Sequence, residues 1–565
     1  MLLTRLWTQS RRLCQNASKY LHAERGAVSV LNTTESQIAN SAKPAPEWHP
    51  RHNPWLIALT VTLATFMEVL DTSIANVALP HIAGGLSATE EEATWVLTSY
   101  LVSNAMILPI SGWLSVVFGR KRFYMTCVAL FTVSSFLCGL APTLPILILL
   151  RILQGAGGGG LGPSEQAILA DTFPGEKRGP AFALYGMAVV VAPAIGPTLG
   201  GWITDNFSWR WIFYINVPVG IISLLLTQRM VEDPDYMKKM RKRKLPIDWT
   251  GLALIIAGIG CLQIVLDKGQ EDDWFSSPFI TTFLVIAIIA IAIFIFWEWR
   301  QPEPVVDLRL FKNRNFAVSA SLLFVMGLAL FSTTVLIPQF LQTLLGYSAE
   351  TAGEALSVGG LTMFVLMPIA GRFVTRMDPR YMIAFGFGIT AVAMFHMTSL
   401  SLGVDFHTAM MWRVYQTIGL PFIFIPNSTL AYVGVPQEKN NQVSGMNNLM
   451  RNVGGSIGVS LVTTFLARHS QVHMQTLVAH ATPYNSAFRD MLNGMTQALI
   501  QAGMSAADAE HQAYARIYGL IQRQAATLAY VNVIWILGIA LALLVPLPFL
   551  MKRPPKGGKT ELAVH

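Results

Sequence analysis

Apolar runs of roughly twenty residues recur from Trp55 to Met551, each bounded by a short polar stretch. Wound as a helix at 1.5 Å per residue, such a run covers the roughly 30 Å hydrocarbon layer of a bilayer. The pattern predicts fourteen spans, at 55–79, 92–115, 122–141, 144–169, 179–204, 209–229, 248–267, 277–297, 315–340, 351–375, 380–400, 407–433, 443–467 and 527–551. The backbone of each must be satisfied internally, so the expected fold class is an all-α polytopic membrane protein. About sixty residues between the last two spans break the rhythm. There Phe488, Met491, Leu492, Met495 and Leu499 recur at helical spacing. After Gly503 a second helix is expected from Ser505, with Asp508 in capping position and Tyr514, Ile517, Leu520 and Ile521 on one face. Residues 468–526 therefore read as an amphipathic helical hairpin.

With 53% of its 565 residues hydrophobic and 13% charged, the chain is excluded from the soluble multidomain class. Its net charge of +8 does not indicate nucleic acid, because the cations alternate with the loops. One set of connections holds "GRKRF", "GEKRG", "MKKMRKRKLP", "DLRLFKNRN", "RMDPR" and "PQEKNN", while the opposite set holds little beyond Arg210 and Lys268. The positive-inside rule then places both termini in the cytoplasm. Cys14, Cys127, Cys138 and Cys261 show no metal-ligand spacing and read as packing residues. Residues 1–51 mix Leu2, Leu3, Leu6 and Trp7 with Arg5, Arg11, Arg12 and Lys19, without the unbroken apolar core of a secretory signal. They read as a cytoplasmic tail, either disordered or lying on the surface as an amphipathic anchor.

The chain repeats itself. "LPISGW" at 108–113 returns as "MPIAGR" at 367–372, "RILQGAG" at 151–157 as "RVYQTIG" at 413–419, and Ile195-Gly196 as Ile457-Gly458, all at offsets of 259 to 262 residues. Spans 2, 4 and 5 thus correspond to spans 10, 12 and 13. The expected organisation is a first six-helix bundle at 52–230, basic linkers with two inserted helices at 231–313, a second bundle at 314–552 and a tail at 553–565. Paired halves of this kind place a binding site between them at mid-membrane.

Four stretches hold the candidate chemistry: "TFMEVLDTSIANVALP" at 65–80, "RILQGAG" at 151–157, "APAIGPTLGGW" at 192–202 and "GWLSVVFGRKRF" at 112–123. Together with the duplicated halves, they resemble the major facilitator superfamily, and within it the fourteen-span drug:proton antiporters of the EmrB/QacA type, over residues 52–552. The resemblance implies two six-helix bundles with two inserted helices, a proton-coupling acid in span 1, and no enzyme activity or cofactor. It implies export of lipophilic or amphipathic small molecules across the bacterial inner membrane. The implied partners are protons, lipid, an EmrA-like periplasmic membrane-fusion adaptor and a TolC-like outer-membrane channel. The outer hairpin is where the adaptor is expected to dock, the alternative being a lid on its own bundle. An exporter of a specific metabolite or siderophore, and a solute importer, remain alternatives; a membrane enzyme lacks a nucleophile–base or metal constellation.

Ionisable groups within hydrocarbon are functional candidates. Asp71 and Glu68, three residues apart, share a helix face. Asp71 and Arg151 both fall in the outer half of the bilayer and can meet. An arginine keeps its proton, so its approach and withdrawal would tune the acid's proton affinity; a permanently ionised structural pair is the competing reading. Glu68 is a second proton or cation candidate, or a structural hydrogen-bond partner. Asn76 and Gln154 belong to the matched motifs. Glu165 is expected in the solvated cytoplasmic mouth. Arg413 with Gln416, and Arg451 with Asn447, Asn448 and Asn452, are expected to stabilise the bundle. Gly196 and Gly200 form a small-xxx-small face beside Pro197 and Gly201 in the antiporter signature, and Pro193 and Pro197 are expected to kink that helix.

Gly112, Gly119, Arg120 and Lys121 fit the superfamily's cytoplasmic gating loop, but the acid expected four residues after the first glycine is Val116, so the gate must be held differently. "WRWIFYINVPVG" at 209–220 and "PQFLQTLLGYS" at 338–348 also match fourteen-span members, without assigned chemistry. "GAGGGG" at 155–160 has dinucleotide-fingerprint spacing but follows an apolar helix rather than a strand. Of the hairpin histidines, only His469 and His473 have i,i+4 spacing, and no acid or cysteine completes a metal set.

Overall fold

In the computed structural model the described residues are 50–174, 177–242 and 248–553; residues 1–49 and 554–565, which include most of both expected tails and Cys14, lie outside them. The apolar runs wind into fourteen rods. Helices 1 to 3 are Pro54–Gly85, Glu90–Phe118 and Arg120–Leu140. Helix 4 is Leu144–Gly158 followed by Leu161–Thr172, helix 5 Arg178–Asn206, and helix 6 Trp211–Tyr214 followed by Asn216–Met230. The inserted pair is helix 7, Trp249–Lys268, and helix 8, Pro278–Arg300. Helices 9 to 12 are Arg314–Thr343, Ala349–Phe373, Pro379–Met397 and Phe406–Leu430; helices 13 and 14 are Asn440–His480 and Ala506–Leu543.

Among the described residues, twelve helices are long and apolar enough to cross a membrane. Helices 12 and 13 are not among them: the first holds Arg413, Gln416, Pro421, Pro426 and Asn427, the second Asn440, Asn441, Asn447, Asn448 and Arg451. Polar residues on a spanning helix must be turned towards protein, and most of these are buried. The unbroken fourth span of the sequence pattern is interrupted at Gly159 and Gly160. The short final span is instead the end of one long helix that begins in the hairpin, where Ser505 accepts from the Asp508 amide.

The duplication governs the packing. Helix 2 packs on helix 13 and helix 10 on helix 5, contacts that the repeat exchanges with each other; helix 1 on helix 5 and helix 9 on helix 13 form a second such pair. Helix 7 lies along helix 2, with Gly260 against Met106 and Thr98 donating to Asp267, and reaches helix 13 through Ser456, which donates to Gln263 at 3.0 Å. Helix 8 leans on helix 7; only 22% of its most apolar window is buried, so its remaining surface faces lipid.

One apolar core runs through both halves at the basic face, where Phe182 stacks on Tyr432, and continues through the second half to Phe340, Leu341 and Tyr530. Towards the hairpin face the first half has a separate core around Leu70, Ile74, Ile203 and Phe213. Several contacts join the halves at the basic face. Gly112 meets the Asn441 backbone, Gly179 meets Val374, and Asn448 donates to Gln166 at 3.1 Å.

Candidate functional site

Asp71, deep in helix 1, is 2% exposed, and Arg151 on helix 4 is fully buried. Arg151 Nη1 donates to Asp71 Oδ2 at 2.6 Å; Gln154 and Asn216 donate to Oδ1 at 2.9 and 2.6 Å. Arg151 also donates to Gln154 at 2.8 Å and, through Nε, to the Val96 carbonyl at 3.0 Å, while its guanidinium carbon lies 4.3 Å from the Tyr100 ring centroid. A carboxylate with three donors and a guanidinium with acceptors and an aromatic face form a charge pair that a membrane interior tolerates. Glycines let these helices approach: a Cβ at Gly155 would lie 2.3 Å from the Tyr100 carbonyl, and one at Gly157 would lie 2.8 Å from the Phe131 amide. The "GAGGGG" run therefore serves helix packing.

Two further carboxylates follow along helix 1. Glu68 is half-buried and accepts from Asn104 at 3.0 Å and Tyr100 at 3.4 Å. Glu165, expected in a solvated mouth, is instead fully buried and accepts from Thr62 at 2.6 Å. The correction follows from the break in helix 4, whose second segment turns inward against helices 1 and 13. From Thr62 to Asp71 helix 1 rises about 13 Å, so the three acids form a column through the first half.

The second half contains a copy without the acid. Arg413 donates to Gln416 at 2.7 Å, to Thr333 at 3.2 Å and to Thr334 at 3.1 Å, and Gln416 donates to Thr333 at 2.6 Å. Gln154, Arg413 and Gln416 are buried within their own halves and do not line the cavity between them. Asn76 is exposed and outside the network. A narrow cavity between the halves is walled by Val189, Val190, Met326, Met363, Met367 and Phe424, with Arg451 as the charged group among its described lining residues. Among the described residues Arg451, expected to stabilise the bundle, makes long hydrogen bonds to Tyr185 at 3.5 Å and Asn452 at 3.4 Å.

In the antiporter signature, Gly196 and Gly200 pack on Ser73 and Ile74 of helix 1, and Pro197 faces Gly353 of helix 10; a Cβ on Gly201 would meet nothing. Gly201 is therefore not a packing glycine. At the basic face Gly119, with φ of 90°, makes the turn between helices 2 and 3. Arg120 donates to Asp171 at 2.6 Å, and the Lys121 ammonium to the Gln228 carbonyl at 2.6 Å.

A sequence model of the Major Facilitator Superfamily matches residues 61–459. The chain belongs to that superfamily. It is 39% identical to the multidrug export protein EmrB of Haemophilus influenzae over 463 residues, covering 81% of this chain and 89% of that protein. It is 38% identical to the multidrug export protein EmrB of Escherichia coli, covering 78% and 87%. It therefore belongs with the EmrB-type members of the superfamily. The solved proton:xylose symporter XylE shares the fold at 14% identity, with a TM-score of 0.57 over 87% of this chain and 94% of that one.

Asn216 lies in a stretch that had no assigned chemistry, yet it is a direct partner of Asp71. A polar residue within an apolar run was the available signal. Thr333 could have been found by adding the 262-residue offset of the arginine motifs to Asp71.

Proposed function

We propose that this protein is a proton-coupled antiporter that exports lipophilic or amphipathic drugs and toxic small molecules across the bacterial inner membrane, with both termini in the cytoplasm. Export of drugs rests on the two EmrB relatives. Proton coupling rests on one observation above all: a buried carboxylate, Asp71, held by Arg151, Gln154 and Asn216 in a half whose duplicate lacks the acid. When Asp71 takes a proton, Arg151 loses its counter-ion but keeps the Val96 carbonyl, Gln154 and the Tyr100 ring. The guanidinium can then move without becoming bare, and helix 4 moves with it. Glu68 and Glu165 continue the column towards the basic face and are suited to pass the proton on. The methionine- and phenylalanine-lined cavity suits apolar bodies of varied shape.

One proton falling through roughly 150 mV releases about 3.5 kcal/mol, enough for a gradient of several hundredfold of a neutral solute. The hairpin at the opposite face is the proposed docking site for a periplasmic adaptor leading to an outer-membrane channel.

The deciding experiment uses proteoliposomes with an imposed pH gradient and a fluorescent lipophilic substrate. Asp71→Asn should abolish proton-driven accumulation while leaving substrate exchange at equilibrium. Proton-driven transport by Asp71→Asn at the wild-type rate would refute the reading.

A further inference from the structure

We infer that residues 233–237, where the chain leaves helix 6 for the basic linker, are a working part of the gate at the basic face, with Met237 as a plug shared by both halves. The inference rests on the transport reading only in treating the closed face as one state of a cycle.

The sequence leaves a gap at this gate, since Val116 stands where the superfamily's loop has an acid, and Val116 is buried and apolar. The acid that meets Arg120 is Asp171, from the end of helix 4, and it accepts three hydrogen bonds. Arg120 donates at 2.6 Å, Tyr236 at 2.5 Å and Asn440 at 2.7 Å. These donors come from three different places: helix 3 of the first half, the linker, and helix 13 of the second half. The Tyr236 hydroxyl also accepts from Arg120 Nη2 at 2.8 Å, which places it between the two charges. Burial pushes this hydroxyl above the ordinary tyrosine range even with Arg120 beside it, so it keeps the proton it donates.

The next residue crosses the seam. Met237 is 1% exposed, and its sulfur is 3.5 Å from both Arg120 Nη2 of the first half and Asn441 Nδ2 of the second. A surface linker has no reason of its own to bury a methionine between two bundles. The segment is also fastened at its start: the Lys121 amide donates to Asp233 at 2.8 Å, so the linker is tied to the first half beside the gate arginine.

The consequence for opening is asymmetric. When the second half tilts away, Asp171 loses Asn440 but retains Arg120 and Tyr236, so no buried carboxylate is left without donors. Met237 instead loses one wall of its pocket, and its apolar surface is uncovered. Closing the gate is therefore favoured by reburial of Met237, while the hydrogen bonds allow it to open.

The test measures gate position directly and needs no substrate. Spin labels would be placed at the exposed positions Arg122 and Arg376, on either side of the seam, after replacing the four native cysteines with alanine. Electron–electron double resonance on the purified full-length protein in nanodiscs then gives the ratio of open to closed molecules. Met237→Ala should raise that ratio roughly tenfold, Met237→Leu should restore it to within about twofold, and Asp233→Ala should raise it without touching the plug. Distance distributions for Met237→Ala and Asp233→Ala that superimpose on the wild type would make the linker a passenger and overturn the proposal. If Met237→Ala does not yield folded protein, Asp233→Ala, at the less buried anchor, decides by the same measurement. Loss of the antiport reading through Asp71→Asn would leave these distances unaffected, so the two failures are separable.

Discussion

Thr333 stands to Arg413 as Asp71 stands to Arg151: each precedes its arginine by 80 residues and accepts a hydrogen bond from it. Gln154 and Gln416 complete the same triangle, each donating to the residue 83 positions before it. The duplication has kept the geometry and dropped one charge. A carboxylate can bind and release a proton where a threonine hydroxyl cannot, so the proposed proton coupling falls to the first half's copy of the motif.

This asymmetry predicts unequal losses on removing the two arginines. Arg151→Met leaves the Asp71 carboxylate without its cation and should lower stability by roughly 3–5 kcal/mol. Arg413→Met removes a cation whose neighbours are hydroxyls and an amide, and should lower it by only about 1–2 kcal/mol. Thermal unfolding in detergent measures both, and equal losses would show that the carboxylate contributes nothing to the difference.

Asn216→Ala deletes the 2.6 Å hydrogen bond to Asp71 and the 3.0 Å bond to Ser135. Proton-driven efflux should fall at least tenfold, with substrate binding unchanged, because hydrogen bonds to a charged group contribute about 1.5–3 kcal/mol. Wild-type transport rates in this variant would remove Asn216 from the site.

At the seam between helices 1 and 5, a methyl group at position 196 would lie 2.3 Å from Ser73 Oγ, whereas one at position 201 would meet nothing. Gly196→Ala should impair folding or transport and be rescued by a second change, Ser73→Gly. Gly201→Ala should be neutral in both assays. Failure of the rescue would mean that the backbone, rather than the side-chain contact, sets the requirement.

Gln166 and Asn448 join the halves at the basic face through a 3.1 Å hydrogen bond. With Gln166→Cys and Asn448→Cys, a short bifunctional thiol reagent should stop transport, and a reductant that cleaves the reagent should restore it. Transport that continues through a complete cross-link would show that this seam does not open during the cycle.

The hairpin helix Ser486–Gln501 shares a small core of Leu499, Ala509 and Ala513 with the start of helix 14, separate from the bundle's core. Replacing residues 486–503 with a short Gly/Ser loop should therefore leave the bundle's unfolding temperature within about 2 °C. Cross-linking to the proposed adaptor should be lost. Retention of those cross-links would move the docking surface elsewhere.

Hydropathy and the repeat made much of the fold legible. They indicated the fourteen rods, the pairing of spans 2, 4 and 5 with 10, 12 and 13, and the meeting of Asp71 with Arg151. They gave the wrong surroundings for Glu165, because the break at Gly159 and Gly160 that turns it inward resembles any glycine run in the sequence. They singled out Gln154, Arg413 and Gln416 as polar residues within apolar spans but not their partners, which lie about eighty residues earlier in the chain. The acid at the gate was sought at position 116 and lies at 171, more than fifty residues later, where only folding brings it to Arg120.

The sequence by itself determined that the chain is a succession of long apolar helices, that it was built twice, and which residue types had to be hidden. Length, hydropathy and spacing are properties read along one strand of chain, and they survive without a third dimension. Only the tertiary structure decided which face of each rod turns inward, and hence that Asn216 serves Asp71, that Met237 sits between the halves, and that methionines wall the cavity. The reason is the solvent: in hydrocarbon a helix can be apolar all round, so its sequence contains little record of its rotation. That rotation is set by glycines, buried hydrogen bonds and neighbours far away in the chain.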